Sequence, residues 1–406
     1  MKKFLALLLA LVMVFALAAC GDSGDSTQTA DPNAAATDGS QASGDNVVKI
    51  GVFEPLSGDS GAGGRQEMLG MQYAQSLRPT VEINGVEYTI ELVPADNQST
   101  ADRAPTAAAT LVSEGVSVVL GTYGSSAAIA AAPTFEQAQI PAIGVTCTNP
   151  RVTEGNEYYF RTCFIDPFQG TVLANYAYEQ LGARTVYCLG ESGNDYDTGV
   201  INYFQEAFEA LGGTVEVASF PANNSDFSTY LNTAVNMGAD AILTPVSIAY
   251  STQIIAQAIS MNFELPILGS DTLDSNAVLA ATEGSDIGLY VTTFYNEGGD
   301  PEFDEGFKAF INSNNTNLEN NGGNDMIAAV SVMGFDAYNV AVDAIERAQS
   351  TDPNDIYNAL KETNWDGITG NIQFDDNGDA IRDLAYIKIA DPANVAWENG
   401  GTQTVA

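Results

Sequence analysis

From Val47 onward, short apolar runs alternate with longer stretches whose apolar positions recur at helical spacing. The runs at residues 47–53, 88–93, 116–120 and 140–145 read as strands. Between them, Met68, Met71, Ala74 and Leu77 mark one helix face. Ala108, Leu111 and Val112 mark another within 102–114. An extended run at 158–163 breaks the rhythm, and a helix pattern at 170–181 follows. A second series begins with apolar runs at 185–189, 214–219, 239–244 and 265–268, again separated by helix patterns. Another extended run, 289–295, has no periodic place. Helix patterns then cover 302–312, 326–348 and 354–362. The chain closes with runs at 371–374 and 384–389, joined through Asp375–Asp379 with a hairpin turn expected at Asn377-Gly378. Strands alternating with helices predict an α/β fold with doubly wound parallel sheets. No short internal sequence repeat is present.

The stretch 119–150 concentrates the candidate chemistry. One apolar run ends in Gly121, Tyr123, Gly124, Ser125 and Ser126, and the next ends in Thr146, Cys147, Thr148 and Asn149. Loops at the carboxyl ends of neighbouring parallel strands are where open α/β sheets bind ligands. The chain carries a formal charge of −38, yet this stretch holds one charged residue, Glu136. An anionic group bound here would be held by backbone N–H groups at the helix start and by the hydroxyls of Ser125, Ser126, Thr146 and Thr148. Ser125 and Ser126 could equally serve only as helix caps. Two such loops side by side favour the ligand site.

The N-terminus reads as a processing signal. Lys2 and Lys3 precede an apolar segment, 4–19, that is short for a membrane span. It ends Leu17-Ala18-Ala19-Cys20, which resembles a bacterial lipobox and implies cleavage after residue 19 and acylation of Cys20. Residues 20–46 hold no aromatic side chain and read as a disordered tether. The expected location is extracytoplasmic, lipid-anchored to the outer face of the cell membrane. The remaining 360 residues suit two domains.

Without Lys2 and Lys3, twelve basic residues remain, unclustered, which excludes nucleic-acid binding. Beyond Cys20 the cysteines are Cys147, Cys163 and Cys188, and an odd number excludes a fully paired framework. Cys188 lies in an apolar run and reads as a small buried hydrophobe; pairing of Cys147 with Cys163 is left open. The chain has no histidine, which removes His-based triads and His metal ligation. Gly190-Glu191-Ser192-Gly193-Asn194 lacks the last glycine of a nucleophile elbow. No phosphate-cradling loop occurs. Asp375–Asp379 lacks the alternating ligands and distant Glu of a calcium loop. Neither enzyme activity, metal nor cofactor is expected.

Taken in order, the stretches IGVFEPLSG (50–58), LVSEGVSVVLG (111–121), GSSAAIAAAP (124–133), CTNPRVTEG (147–155), YFRTCFIDPFQG (159–170), LPILGSD (265–271), LYVTTFY (289–295) and NIQFDDNGD (371–379) resemble the solute-binding lipoproteins of branched-chain amino acid ABC transporters, the type I periplasmic binding proteins. The resemblance implies two αβα lobes joined by three crossovers near 161–164, 291–294 and 374–375. Lobe one would be 47–163 plus 292–373, and lobe two 164–291 plus 374–406. It places the family's carboxylate-binding Ser on Ser125, its Thr contacts on Thr146 and Thr148, its lobe-two Tyr on Tyr196 and its acidic partner for the ligand ammonium on Asp271. By position alone Asp271 could also be a helix cap beside Asp274. The family often has an aromatic in the first loop, where this chain has Gly61, Ala62, Gly63, Gly64 and then Arg65. Arg65 either favours a polar or anionic ligand tail or faces solvent, and Tyr123 is a candidate replacement aromatic. The implied function is capture of a small amino acid or amide, and its delivery by a monomer to a membrane permease. The alternatives are a ligand-sensing module of the same fold signalling to a receptor partner, and, remotely, a surface hydrolase.

Overall fold

The computed structural model describes residues 46–405. The expected signal peptide, Cys20 and all of the tether except Asn46 lie outside the described residues. Among the described residues no helix is long and apolar enough to cross a membrane.

Two sheets organise the chain. The first contains β1 (Val47–Glu54), β2 (Thr80–Ile83), β3 (Val86–Asp96), β4 (Val118–Leu120), β5 (Ala142–Gly144) and β6 (Tyr159–Arg161), in the order β2-β3-β1-β4-β5-β6. The second contains β7 (Thr185–Glu191), β8 (Thr214–Phe220), β9 (Ala241–Leu243), β10 (Ile267–Gly269), β11 (Leu289–Thr293), and, after a two-stranded ribbon of β12 (Asn364–Gly367) and β13 (Gly370–Gln373), also β14 (Ala385–Asp391) and β15 (Ala396–Gln403). Its order is β15-β14-β11-β10-β9-β7-β8. Central strands pair in parallel, as the alternation predicts. Being covered on both faces, they read as near-continuous apolar runs: in VVKIGVFE every residue from Ile50 to Glu54 is buried.

The helices are α1 (Gly61–Leu77), α2 (Ala104–Glu114) and α3 (Ser125–Ala138) around the first sheet, then α4 (Asp166–Asn175), α5 (Asp195–Ala210), α6 (Ser228–Met237), α7 (Ile248–Ser260) and α8 (Asn276–Ala280) in the second series. After β11 come α9 (Pro301–Ile311), α10 (Asn315–Asn320), α11 (Ala329–Ala348) and α12 (Pro353–Leu360). Helix α11 is buried along most of its length and lies against α1. That approach depends on Gly70, where a Cβ would fall 1.8 Å from the Ser331 carbonyl oxygen.

Four details differ from the pattern reading. Helix α1 begins at Gly61, inside the stretch expected to be a turn. The glycines are there for close packing: a Cβ on Gly63 would sit 2.5 Å from the Tyr123 ring. Strand β2, antiparallel to β3, and strand β15 were not expected, because both are short-alternating or polar edge strands whose one-sided burial leaves little periodic signal. Helix α4 starts at Asp166 and ends in a π turn, Tyr176–Gln180. The closing hairpin is re-partnered. Strand β13 pairs with β12, while β14 pairs with β11 and β15. The tight turn is present, with Gly378 N–H donating to the Asp375 carbonyl (3.0 Å), but it closes only a single bridge, Phe374 with Ala380.

Strand order reverses direction of winding between β1 and β4 in the first sheet and between β7 and β9 in the second. Each reversal opens a crevice at the carboxyl ends of those strands. The loops leaving β1, β4, β7 and β9, joined by those after β3, β5 and β10, build the site.

Candidate functional site

The loop after β4 turns at Gly124 (φ 112°) into α3, whose first turn has no side-chain cap and no acidic residue. Its backbone N–H groups are therefore available to an anion. Pro133 lies well inside this helix, so the N-terminal turn is set by the alanine-rich packing face, with Ala127, Ala128 and Ala131 buried. The Ser125 hydroxyl accepts from the Asn149 N–H (3.1 Å), which ties the first loop to the second.

Opposite stands Asp271 at the end of β10, 2% exposed. Its Oδ1 accepts from the Tyr196 hydroxyl (2.6 Å) and its N–H donates to Gln169 Oε1 (2.9 Å). Tyr196 is placed by α5, whose Asn194 side chain accepts from the Tyr196 and Asp197 N–H groups. Asp271 opens a 3-10 turn that has no side-chain cap, and neighbouring Asp274 is committed elsewhere, paired with buried Lys388 at 2.8 Å.

Between these groups lies a cavity of about 60 Å3. Of the residues expected at a site, Tyr123, Ser125, Ser126, Thr146, Tyr196 and Asp271 share its wall. Thr148 is fully buried but is not part of the wall. Arg65 is also outside it: its Nη1 donates to the Leu56 carbonyl (2.8 Å). The wall is closed by bonds across the two halves. Ser126 Oγ accepts from the Asp195 N–H (3.0 Å), and the Tyr123 hydroxyl donates to the Thr272 carbonyl (3.3 Å). Arg151 pairs with Asp195, and Asn149 Nδ2 donates to the Asp195 carbonyl (2.9 Å).

Several residues that pattern reading passed over matter here. Glu54 and Glu67, both fully buried, stand behind the two first-sheet loops. Glu54 Oε2 accepts from the Tyr123 N–H (2.7 Å), and Glu67 Oε1 accepts from the Thr146 hydroxyl. Their other oxygens, Glu54 Oε1 and Glu67 Oε2, have no further partner, and the two carboxyls interact with each other. A proton shared between the two carboxyls would satisfy both. Arg161 is 0% exposed and donates to the Cys147 and Asn149 carbonyls (3.0 and 2.6 Å), to Thr153 and to Asp379. The only sequence signals were a charge directly after the apolar run 50–53 (Glu54) and a lone cation in an extended run (Arg161). Among the described residues Cys147, Cys163 and Cys188 are free and buried, so Cys147 and Cys163 are not bridged.

Burial dominates the electrostatics. It raises the Glu67 carboxyl to about 8, Asp166 to about 7 and Asp271 to about 6, and pushes Glu54 and Asp197 well up. Unfolded carboxyls titrate near 4, so across the window from about 4 to 8 the native state holds more protons than the unfolded chain. Stability is then fullest below that window and falls as pH rises through it. The ligand-free protein should melt at a lower temperature at pH 8 than at pH 5.5 in scanning calorimetry. Glu67→Gln should flatten the slope; a melting temperature that climbs with pH would contradict the assignment.

Residues 47–394 match the family model described as periplasmic binding protein. A leucine-, isoleucine-, valine-, threonine-, and alanine-binding protein of Pseudomonas aeruginosa is 23% identical over 364 residues, 88% of this chain and 92% of its own length. The leucine binding protein LivK of Thermotoga maritima superposes with a TM-score of 0.77 at 33% identity, covering 88% of this chain and 99% of that one. The branched-chain amino acid transporter substrate binding protein LivJ of Streptococcus pneumoniae, in complex with isoleucine, gives a TM-score of 0.75 at 24% identity over 88% of this chain and 99% of that one. All three carry the names of binding proteins, which favours binding over catalysis. A match that runs through both sheets shows that the chain belongs to the periplasmic binding protein family, among the type I members of branched-chain amino acid transport.

Proposed function

We propose that the protein is the substrate-binding component of an ABC importer, taking a small α-amino acid between its two halves and handing it to a membrane permease. Members of this family work outside the cytoplasm. Here a lipid on Cys20 would hold a monomer at the outer face of the membrane. The observation that carries the reading is the pairing inside one cavity of the uncapped start of α3, with Ser125, and the Asp271 carboxylate. A zwitterion needs donors at one end and an anion at the other, and no single-charged ligand uses both. The carboxylate would rest on the α3 N–H groups and the Ser125 hydroxyl; the ammonium would bind Asp271. The bonds from Ser126 and Asn149 to Asp195 and from Tyr123 to Thr272 form the closed arrangement that ligand would stabilise.

Titration calorimetry of the full chain against a panel of amino acids and small amides tests this. Saturable binding at one site per chain is expected. If no amino acid or amide in the panel binds or raises the melting temperature, the reading fails.

A further inference from the structure

Ten of the fourteen residues that wall the cavity are polar, Tyr123 and Tyr196 supply the aromatic surface, and Ala127 is the one aliphatic side chain. Hydroxyls dominate: Ser60, Ser99, Ser125, Ser126, Ser247 and Thr272. A branched aliphatic tail gains its affinity by leaving water for apolar surface, and this wall offers little of it.

The carboxyls on the wall are Asp271 and Asp197, and no Lys or Arg lines it. Asp197 is 1% exposed. Its Oδ2 accepts from the Glu191 N–H (2.7 Å), while its Oδ1 is buried with no partner. Buried acceptors are ordinarily satisfied, and an orphan on a cavity wall marks a place for a donor. With Asp271 engaged by the α-ammonium, Asp197 is a second acceptor with nothing in the protein to fill it.

Resting on the amino-acid reading above, we infer that the ligand is a small polar α-amino acid whose side chain ends in a hydrogen-bond donor, an amine above all, and that Asp197 selects it. An acidic tail is disfavoured by the same carboxylate, and a long tail by a cavity of about 60 Å3.

Calorimetry with 2,4-diaminobutyrate, threonine, alanine, leucine and glutamate on the full chain at pH 7.5 tests the inference. Diaminobutyrate should bind at least about tenfold more tightly than leucine, with threonine between them and glutamate weakest; a charge-assisted bond to a buried carboxylate carries an advantage of that order. Asp197→Asn keeps an acceptor for the Glu191 N–H. It should lower the ratio of diaminobutyrate to alanine affinity by about tenfold, a change that a purely structural role for Asp197 would not produce. Leucine binding more tightly than diaminobutyrate, or an unchanged ratio in the variant, overturns the inference and leaves the amino-acid reading standing. If none of the five binds, both fall. Should Asp197→Asn fail to fold, the order of affinities in the unaltered protein still decides.

Discussion

Asp271→Ala should weaken amino-acid binding about a hundredfold or more, while leaving the ligand-free protein at least as stable as before at pH 7.5. The loss follows from stranding the ligand ammonium in a closed cavity with its counter-charge gone; removing one partner of a buried, hydrogen-bonded charge pair typically costs roughly 2–5 kcal/mol. The stability follows from the opposite sign of the same charge. In the empty protein the carboxyl is buried, raised to about 6, and so is held against its own preference for water. Calorimetry on the variant reads the first effect, and the melting temperature reads the second. The pH dependence adds a signature. Below about pH 6 the empty site is protonated, so affinity in the unaltered protein should decline as pH falls, and the variant should lose that dependence. Affinity within threefold of the unaltered protein would remove Asp271 from the ammonium site. A carboxylate that costs stability until ligand arrives is a common arrangement at functional positions.

The two βα series were legible because a central parallel strand has to be apolar on both faces, as in β1, and because helices with one buried face repeat their apolar positions. Edge strands escaped for the converse reason. Strand β15, AWENGGTQ, has no buried residue and two glycines in its middle, so nothing in its pattern distinguishes it from loop. Strand β13 was visible, but its partner was not: pairing is decided by which edge is free, and β12 lies only a turn away. At the site, residues in short polar loops after apolar runs were readable because the strand before them fixes where they emerge. That is the route to Ser125 and Thr146, whereas Asp271 came through the family resemblance. Glu67 was hidden because it sits mid-helix in α1, where a carboxylate ordinarily faces water. Only the packing of α1 onto α11, through Gly70, turns that face inward. Asp197 was hidden for a similar reason, since an acid in the first turn of a helix already has a sufficient explanation in the helix dipole. What pattern cannot carry is the meeting of groups remote in sequence, and the buried acids here are all of that kind.

Arg161 is the strongest case of such a meeting, and its replacement should have the largest effect on folding. Arg161→Met should lower the unfolding free energy by about 3–5 kcal/mol, the usual result of breaking a buried ion pair from one side. The guanidinium spans two pieces of chain more than 200 residues apart. Nη1 holds the Cys147 and Asn149 carbonyls of the second ligand loop, Nη2 reaches Thr153, and Nε pairs with Asp379 at 2.5 Å, beside the Asp375 turn. Methionine fills much of the volume but leaves the Cys147 carbonyl without a donor, the Asn149 carbonyl with only the Val152 N–H and the largely buried Asp379 carboxylate with the Thr153 hydroxyl in place of the guanidinium. Asp379→Asn should cost less, because the carbonyl and Thr153 bonds survive. Urea unfolding followed by tryptophan fluorescence and circular dichroism reads both variants; a loss under 1 kcal/mol in Arg161→Met would mean that water replaces the guanidinium at little cost. The same variant should also bind ligand more weakly, though Arg161 lines no part of the cavity. Ser125 is tied to the Asn149 N–H, and Asn149 is held in turn by Arg161. Freeing that loop means that binding must order it again, and the entropy of doing so is subtracted from the affinity. Affinity and stability should therefore fall together in Arg161→Met and part company in Asp271→Ala, which separates a residue that builds the site from one that touches the ligand.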